Sequence, residues 1–286
     1  MSPRLSKTLS RFPIHIVLIG MGLLWLTPSV GLLISSIRPP DAVNQTGWWT
    51  VLPRFFETSQ YTLRNYQEIL GAQGMALAFR NSLLITIPST IIPIAIAAFA
   101  AYAFAWMEFP GRQVLFVIVV GLLVVPLQMT LIPLLRAYNR LGLSGTFVGI
   151  WLAHTGYGLP FAVYLLRNFF GSLPRDLFES AYLDGASEFT AFFRLALPLS
   201  VPALASLAIF QFLWVWNDLL VALIYLGGTE QVAPLTLKLS SLVNSLGQNW
   251  HLLTAAAFIS MALPLVVFFS LQRYFVRGIL AGSVKG

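Results

Sequence analysis

Polar and ionisable residues are rare in this chain, so those that interrupt its apolar stretches are the ones able to do chemistry. Asn81, Gln128, Gln211, Asn217 and Asp218 lie in or beside such stretches, with Trp214 among them. Amides and a carboxylate can hydrogen-bond a polar solute, and an indole offers a flat apolar face. The same residues could instead hold helices together, because a polar group in a bilayer turns toward the bundle interior whatever its task. A second concentration is the segment 167–198, which carries Arg167, Arg175, Asp176, Glu179, Asp184, Glu188 and Arg194.

Several chemistries are excluded. There are no cysteines, hence no disulfide, no Cys-ligated zinc and no thiol nucleophile. His15, His154 and His251 are far apart and read as helix-interface or interfacial residues, not metal ligands. No paired aspartates and no His–Glu set mark an intramembrane enzyme. The lysines are Lys7, Lys238 and Lys285, and none follows the glycine pattern of a phosphate-binding P-loop. The chain therefore cannot hydrolyse ATP through such a loop. An ion-driven transporter needs ionisable groups within its spans, and almost none are present.

The elements that position these residues follow from composition. Of 286 residues, 57% are hydrophobic and 9% charged, against about 25% charged in soluble domains. So few charges cannot cover a water-facing surface, and a bilayer is the natural solvent. The net charge of +7 fits cations flanking membrane spans. No basic run with interleaved aromatics supports nucleic-acid binding. Charge-free gaps predict an all-α membrane protein with six kinked spans, at about 13–37, 80–106, 113–135, 144–166, 197–225 and 251–273. They form one transmembrane domain, 13–277, between tails 1–12 and 278–286. The first span reads as an uncleaved signal anchor, its apolar run being too long for a cleaved leader. Both termini are then expected in the cytoplasm. Ten Lys and Arg fall inside and seven outside, the sign of the positive-inside rule. Prolines within the spans, such as Pro88, Pro93, Pro126 and Pro160, free backbone carbonyls that neighbouring helices or water must satisfy.

Within 167–198, Leu177, Phe178, Ala181 and Tyr182 recur at helical spacing and make an apolar face. Pro174 suits a helix start, and Gly185 a helix end. Such a helix either lies in the lipid interface or fits a cleft in a soluble subunit, and its pattern does not separate the two.

The same segment resembles the EAA loop of ABC-importer permeases, in which Glu-Ala-Ala is followed by three residues, Gly, nine residues and Ile-x-Leu-Pro. Here Glu179-Ser180-Ala181 precedes Gly185 by that spacing, and Leu195-Ala196-Leu197-Pro198 closes the pattern. Ser180 and Leu195 are the departures, both conservative in size. Asn81-Ser82-Leu83, Ala101-Tyr102-Ala103, Pro126, Trp216-Asn217-Asp218 and the end from Gln272 to Gly286 continue the likeness. The chain thus resembles the shorter permease subunit of the carbohydrate-uptake, maltose-type, binding-protein-dependent importers of bacterial and archaeal inner membranes.

That resemblance implies a cytoplasmic ATPase dimer that binds ATP and magnesium and receives Glu179, Ser180, Ala181, Asp184, Gly185, Leu197 and Pro198. It also implies a second homologous permease subunit and an extracytoplasmic solute-binding protein. Asn81, Gln128, Gln211, Trp214, Asn217 and Asp218 become the candidate path for a sugar or sugar-like solute. A bulky or charged residue at Gly185 should uncouple transport. The contrasting possibility is a structural membrane subunit that carries nothing.

Overall fold

Among the described residues of this computed structural model (3–71, 74–242 and 249–283) every regular element is a helix. The chain divides into two compact units, residues 1–75 with 239–261 and residues 76–238 with 262–286.

The first unit opens with α1 (Pro3–Ser36), then α2 (Pro40–Gln45), 3-10 turns at Trp48–Arg54 and Thr58–Gln60, and α3 (Arg64–Leu70). Helix α1 therefore begins inside the expected tail 1–12. Its Phe12–Leu26 stretch exposes Ile, Leu, Val and Trp side chains. In water that wall would drive aggregation, whereas in a bilayer it is lipid-facing surface. Below it the chain is tied back by polar bonds. Asn65 donates through Nδ2 to the carbonyls of Ser36 (3.0 Å) and Arg38 (2.8 Å), and the Ser36 hydroxyl meets the Tyr66 phenol at 2.7 Å.

The second unit is built on α4 (Met75–Trp106), α5 (Arg112–Gly121), α6 (Leu127–Leu141) and α7 (Phe147–Phe170). Helices α8 (Arg175–Leu183), α9 (Glu188–Ala191), α10 (Leu197–Leu199), α11 (Val201–Trp216) and α12 (Leu220–Leu226) follow. Helix α13 (Leu235–Leu242) and α14 (Trp250–Ser283) contribute to both units. The stretch between the expected spans 197–225 and 251–273 thus contains helix α13, and its residues 243–248 lie outside the described residues. Helix α14 runs past the expected tail boundary at 278.

Helices α1, α4 and α14 are each long and apolar enough to cross a membrane, and two bent pairs raise the number to five. Helix α7 corresponds to the remaining expected span. Its 24 residues reach about 36 Å at 1.5 Å per residue, enough for the hydrocarbon core. Buried His154 and Thr155 and its glycines dilute its apolarity. The expected single spans 113–135 and 197–225 are broken. Helices α5 and α6 meet at 101°, because Pro126 forces Val125 into extended backbone (φ −74°, ψ 116°). A 72° bend separates Glu188–Leu199 from α11 at Ser200, and α12 is a separate helix after Asn217.

Helix α4 is the central element: 39% of its most apolar window is buried, against 6% for α1. Ala97, Ala98 and Ala101 allow close approach of its neighbours, Val163, Leu166 and Leu207 being in the same cluster. Its prolines show how the bundle satisfies its own backbone. Pro88 cannot donate to Leu84, and the Leu84 carbonyl takes the Trp151 indole N–H at 2.8 Å. Pro93 cannot donate to Ser89, and the Ser89 carbonyl takes Gln211 Nε2 at 3.1 Å. A Cβ on Gly158 would lie 2.7 Å from the Gln211 amide, so glycine there admits the side chain.

Candidate functional site

Two contacts fix the directions of α4 and α7. Near their starts Trp151 Nε1 donates to the Leu84 carbonyl, and at their ends Trp106 Nε1 donates to the Phe170 carbonyl at 3.1 Å. The helices are parallel, so α5–α6 leads back from the end of α4 to the start of α7. Both end at the same face, where α8 begins.

Helix α8 is nine residues long, too short to be stable alone. Packing holds it. Phe178 is completely buried and stacks on Trp106, with ring centroids 3.9 Å apart and planes 20° apart. The Tyr102 and Tyr182 hydroxyls donate to Glu188 Oε2 at 2.8 and 2.9 Å, tying α4, α8 and α9 to one carboxylate. Burial, and donation to that carboxylate, raise the Tyr182 pKa above its ordinary value. The phenol therefore stays a donor across physiological pH.

The C-terminus of α8 closes in a Schellman motif. Ala186 N–H donates to the Ala181 carbonyl (2.9 Å) and Gly185 N–H to the Tyr182 carbonyl (3.0 Å), with Gly185 at φ +81°. Ser187 then caps α9, accepting from the Thr190 N–H. One face of α8 is thus fixed inward while Glu179, Ser180, Leu183, Asp184 and Gly185 face outward. Leu183 is 89% exposed, a feature the sequence pattern did not single out. The expected apolar face is split: Phe178 is buried, Leu177 exposed, and Ala181 and Tyr182 are half-buried. Leu197 and Pro198 follow a π turn at Phe192–Ala196 and lead into α11.

Two of the six polar residues expected along a solute path, Trp214 and Asp218, both meet His154, the Trp214 ring at 5.8 Å between centroids. Asn81 is buried and donates to the carbonyls of Gln231 and Ala233. Gln211 is committed to Ser89. Asp218 accepts from the N–H groups of Val221 and Ala222 and so caps α12. Its Oδ2 lies 3.8 Å from Nε2 of buried His154. Asn217 is exposed and donates to Leu213 in its own helix, and Gln128 is exposed on α6.

Trp214 is placed differently. It lines a cavity of about 500 Å³ at the α5–α6 bend, with Pro126, Thr130, Gly156, Tyr157 and Pro160. The Tyr157 hydroxyl lies 2.9 Å from that of Thr130 and 2.8 Å from that of Tyr225. Pro160 cannot supply the i+4 donor to the Gly156 carbonyl, which belongs to a residue lining the cavity. Among the described residues no charged side chain lines it. Leu122, Leu123, Val125 and Leu127 complete the wall, and the Trp214 and Tyr157 rings with the Tyr157 and Thr130 hydroxyls could meet a neutral polyhydroxylated solute. Sequence reading passed over Tyr157 and Thr130, whose hydroxyls sit in residue types that also fill apolar cores. The available signal was Pro126 and the Gly156–Pro160 pair, which mark where helices open. Among the described residues no His, Cys, Asp and Glu cluster could hold a metal.

Comparison with known proteins gives a consistent picture. Residues 93–281 match the family described as binding-protein-dependent transport system inner membrane component. The osmoprotective compounds uptake permease protein GgtD of Synechocystis sp. is 64% identical over 275 residues, covering 96% of this chain and 92% of that protein. The alpha-glucoside transport system permease protein AglG of Rhizobium meliloti is 44% identical, covering 96% of this chain and 97% of that protein. In structure, a chain of a bacterial ABC transporter involved in import of the acidic polysaccharide alginate superposes with a TM-score of 0.75 at 21% identity, covering 94% of this chain and 98% of that one.

Proposed function

The chain belongs to the family of binding-protein-dependent transport system inner membrane components, and on that premise we propose that it carries a small neutral polyhydroxylated solute through the cavity lined by Trp214 and Tyr157. It is a multi-pass permease subunit of a sugar-type ABC importer, not an enzyme. The solute class is supported by the absence of charge around the cavity and by the two relatives, which take up osmoprotective compounds and alpha-glucosides.

The observation that carries the coupling mechanism is the attachment of α8. Anchored through Phe178 and Glu188, it can pass a push on its outer face to α4 as a rigid-body motion. A separate ABC ATPase dimer, holding ATP and magnesium, docks on Glu179, Leu183, Asp184 and Gly185. A second homologous permease completes the path, and a solute-binding protein delivers cargo on the opposite face. Six crossings, at α1, α4, α5–α6, α7, α11 with α12, and α14, then place both termini in the cytoplasm.

Gentle solubilisation of the tagged chain from its native membrane is expected to bring down a P-loop ATPase and a second permease in stoichiometric amounts, identified by mass spectrometry. Recovery of the chain without any ATPase after mild crosslinking would return it to the class of structural subunits. Trp214→Ala is expected to raise the half-saturating solute concentration for uptake by about tenfold, equivalent to ~1.4 kcal/mol, with normal membrane abundance. Asn217→Ala, which removes only a local bond, should leave uptake unchanged. Equal uptake kinetics in Trp214→Ala and the parent would remove the cavity from the path.

A further inference from the structure

The first unit contains a second cavity, of about 770 Å³, lined by α2 and the turns that follow. Arg38 forms part of its wall and is 3% exposed. Its guanidinium meets only neutral oxygens. Nη1 donates to the Thr46 carbonyl at 3.1 Å, and Nη2 to the hydroxyls of Thr46 at 2.6 Å and Thr50 at 3.2 Å. Nε has no partner, and among the described residues no carboxylate forms an ion pair with this side chain.

Such an arrangement is costly. Burial lowers the Arg38 pKa from its ordinary value, yet a guanidinium remains charged where a buried lysine would shed its proton. A buried charge is stable when a counter-charge and further hydrogen bonds meet it, and here only the hydrogen bonds are present. Arg54 also lines the cavity, opposed by the single acid Glu57. Trp49 in the wall is 61% exposed, and Phe56, two residues beyond Arg54, is 95% exposed. Arginine with exposed Trp and Phe is the composition of a protein-interface hot spot.

By chain order this segment lies between the crossings α1 and α4. Helix α4 starts at the end opposite α8, so the segment belongs to the face from which solute arrives. We propose that the Arg38 cavity is a docking socket for an acidic side chain of the solute-binding protein. Its carboxylate enters the cavity beside the guanidinium and offsets its charge, while exposed Trp49 forms the apolar part of the wall. This rests on the importer reading above and adds to it a contact on the first outer segment.

The test uses the complete importer in nanodiscs of zwitterionic lipid, titrated with the solute-binding protein of the same system and read by ATP hydrolysis. Arg38→Gln is expected to raise the half-stimulating concentration about tenfold, or ~1.4 kcal/mol, with the maximal rate unchanged. Arg54→Gln, at an exposed position, should raise it about threefold, or ~0.7 kcal/mol. Replacing the matching acid of the binding protein by Gln should cost no more in the Arg38→Gln background than Arg38→Gln alone. An unchanged half-stimulating concentration in an Arg38→Gln complex of normal composition would overturn the proposal. If Arg38→Gln fails to assemble, an unchanged value in Arg54→Gln overturns it instead. An effect seen only when anionic lipid is added would assign the cavity to a headgroup phosphate and also overturn it. If the unaltered importer is not stimulated by the binding protein at all, the importer reading fails, not merely this contact.

Discussion

Gly185→Val is expected to reduce solute uptake by well over tenfold while the chain inserts in normal amount. The backbone at Gly185 has φ +81°, and it lets Gly185 N–H reach the Tyr182 carbonyl and Ala186 N–H the Ala181 carbonyl, closing the Schellman motif. An ordinary L-residue in the left-handed region costs about 1–2 kcal/mol, and a β-branched one more. A Cβ at Gly185 meets nothing within 4 Å in this chain, so crowding within the subunit is not the cause. The cost falls on the turn that aims Leu183 and Asp184 outward. Asn tolerates the same backbone, so Gly185→Asn should retain most uptake if conformation is what matters. Asp tolerates it too but adds charge. Loss in Gly185→Asp with retention in Gly185→Asn would therefore locate the demand in the partner's groove. Uptake by chains quantified on immunoblots decides among these, and normal transport by Gly185→Val would remove the turn from the coupling path.

Phe178→Ala should be comparably severe by a different route. Complete burial and stacking on Trp106 make this ring the main anchor of a short helix. Truncating a buried Phe costs about 3–5 kcal/mol, enough to release a nine-residue helix that has little stability of its own. The released α8 should show faster amide exchange and faster tryptic cleavage after Arg175. ATP hydrolysis by the assembled importer should lose its dependence on the solute-binding protein. Phe178→Leu should preserve part of both. A double-mutant cycle with Trp106→Ala isolates the ring pair, for which about 0.5–1.5 kcal/mol is expected beyond area burial. Unaltered exchange in α8 would mean that the Tyr102–Glu188–Tyr182 cluster carries the attachment by itself.

The α8 turn was legible because its determinants are local. A proline before a helix, a glycine after it and the fixed interval to Leu197-Pro198 are properties of consecutive residues, and backbone preferences act over that range. The partner of its buried face was not legible. Phe178 meets Trp106, and Glu188 meets Tyr102, across long separations in the chain. Either aromatic would have suited a lipid-facing position equally well.

The polar residues of the spans show the same division. By itself the sequence determined that this is an all-helical membrane chain, where its prolines would free carbonyls, and that polar side chains or water must answer them. Those conclusions follow from the absence of competing water in a bilayer, which makes each apolar run and each missing N–H decisive. Only the tertiary structure decided which side chain answers which carbonyl. Trp151 goes to Leu84 and Gln211 to Ser89, and Asp218 is spent on capping α12. That assignment gives Gln211 and Asp218 bonds within the bundle and sets Trp214 on a cavity with Tyr157. An amide has the same hydrogen-bonding capacity whether it faces a solute or a neighbouring helix, and only the positions of the other helices distinguish the two.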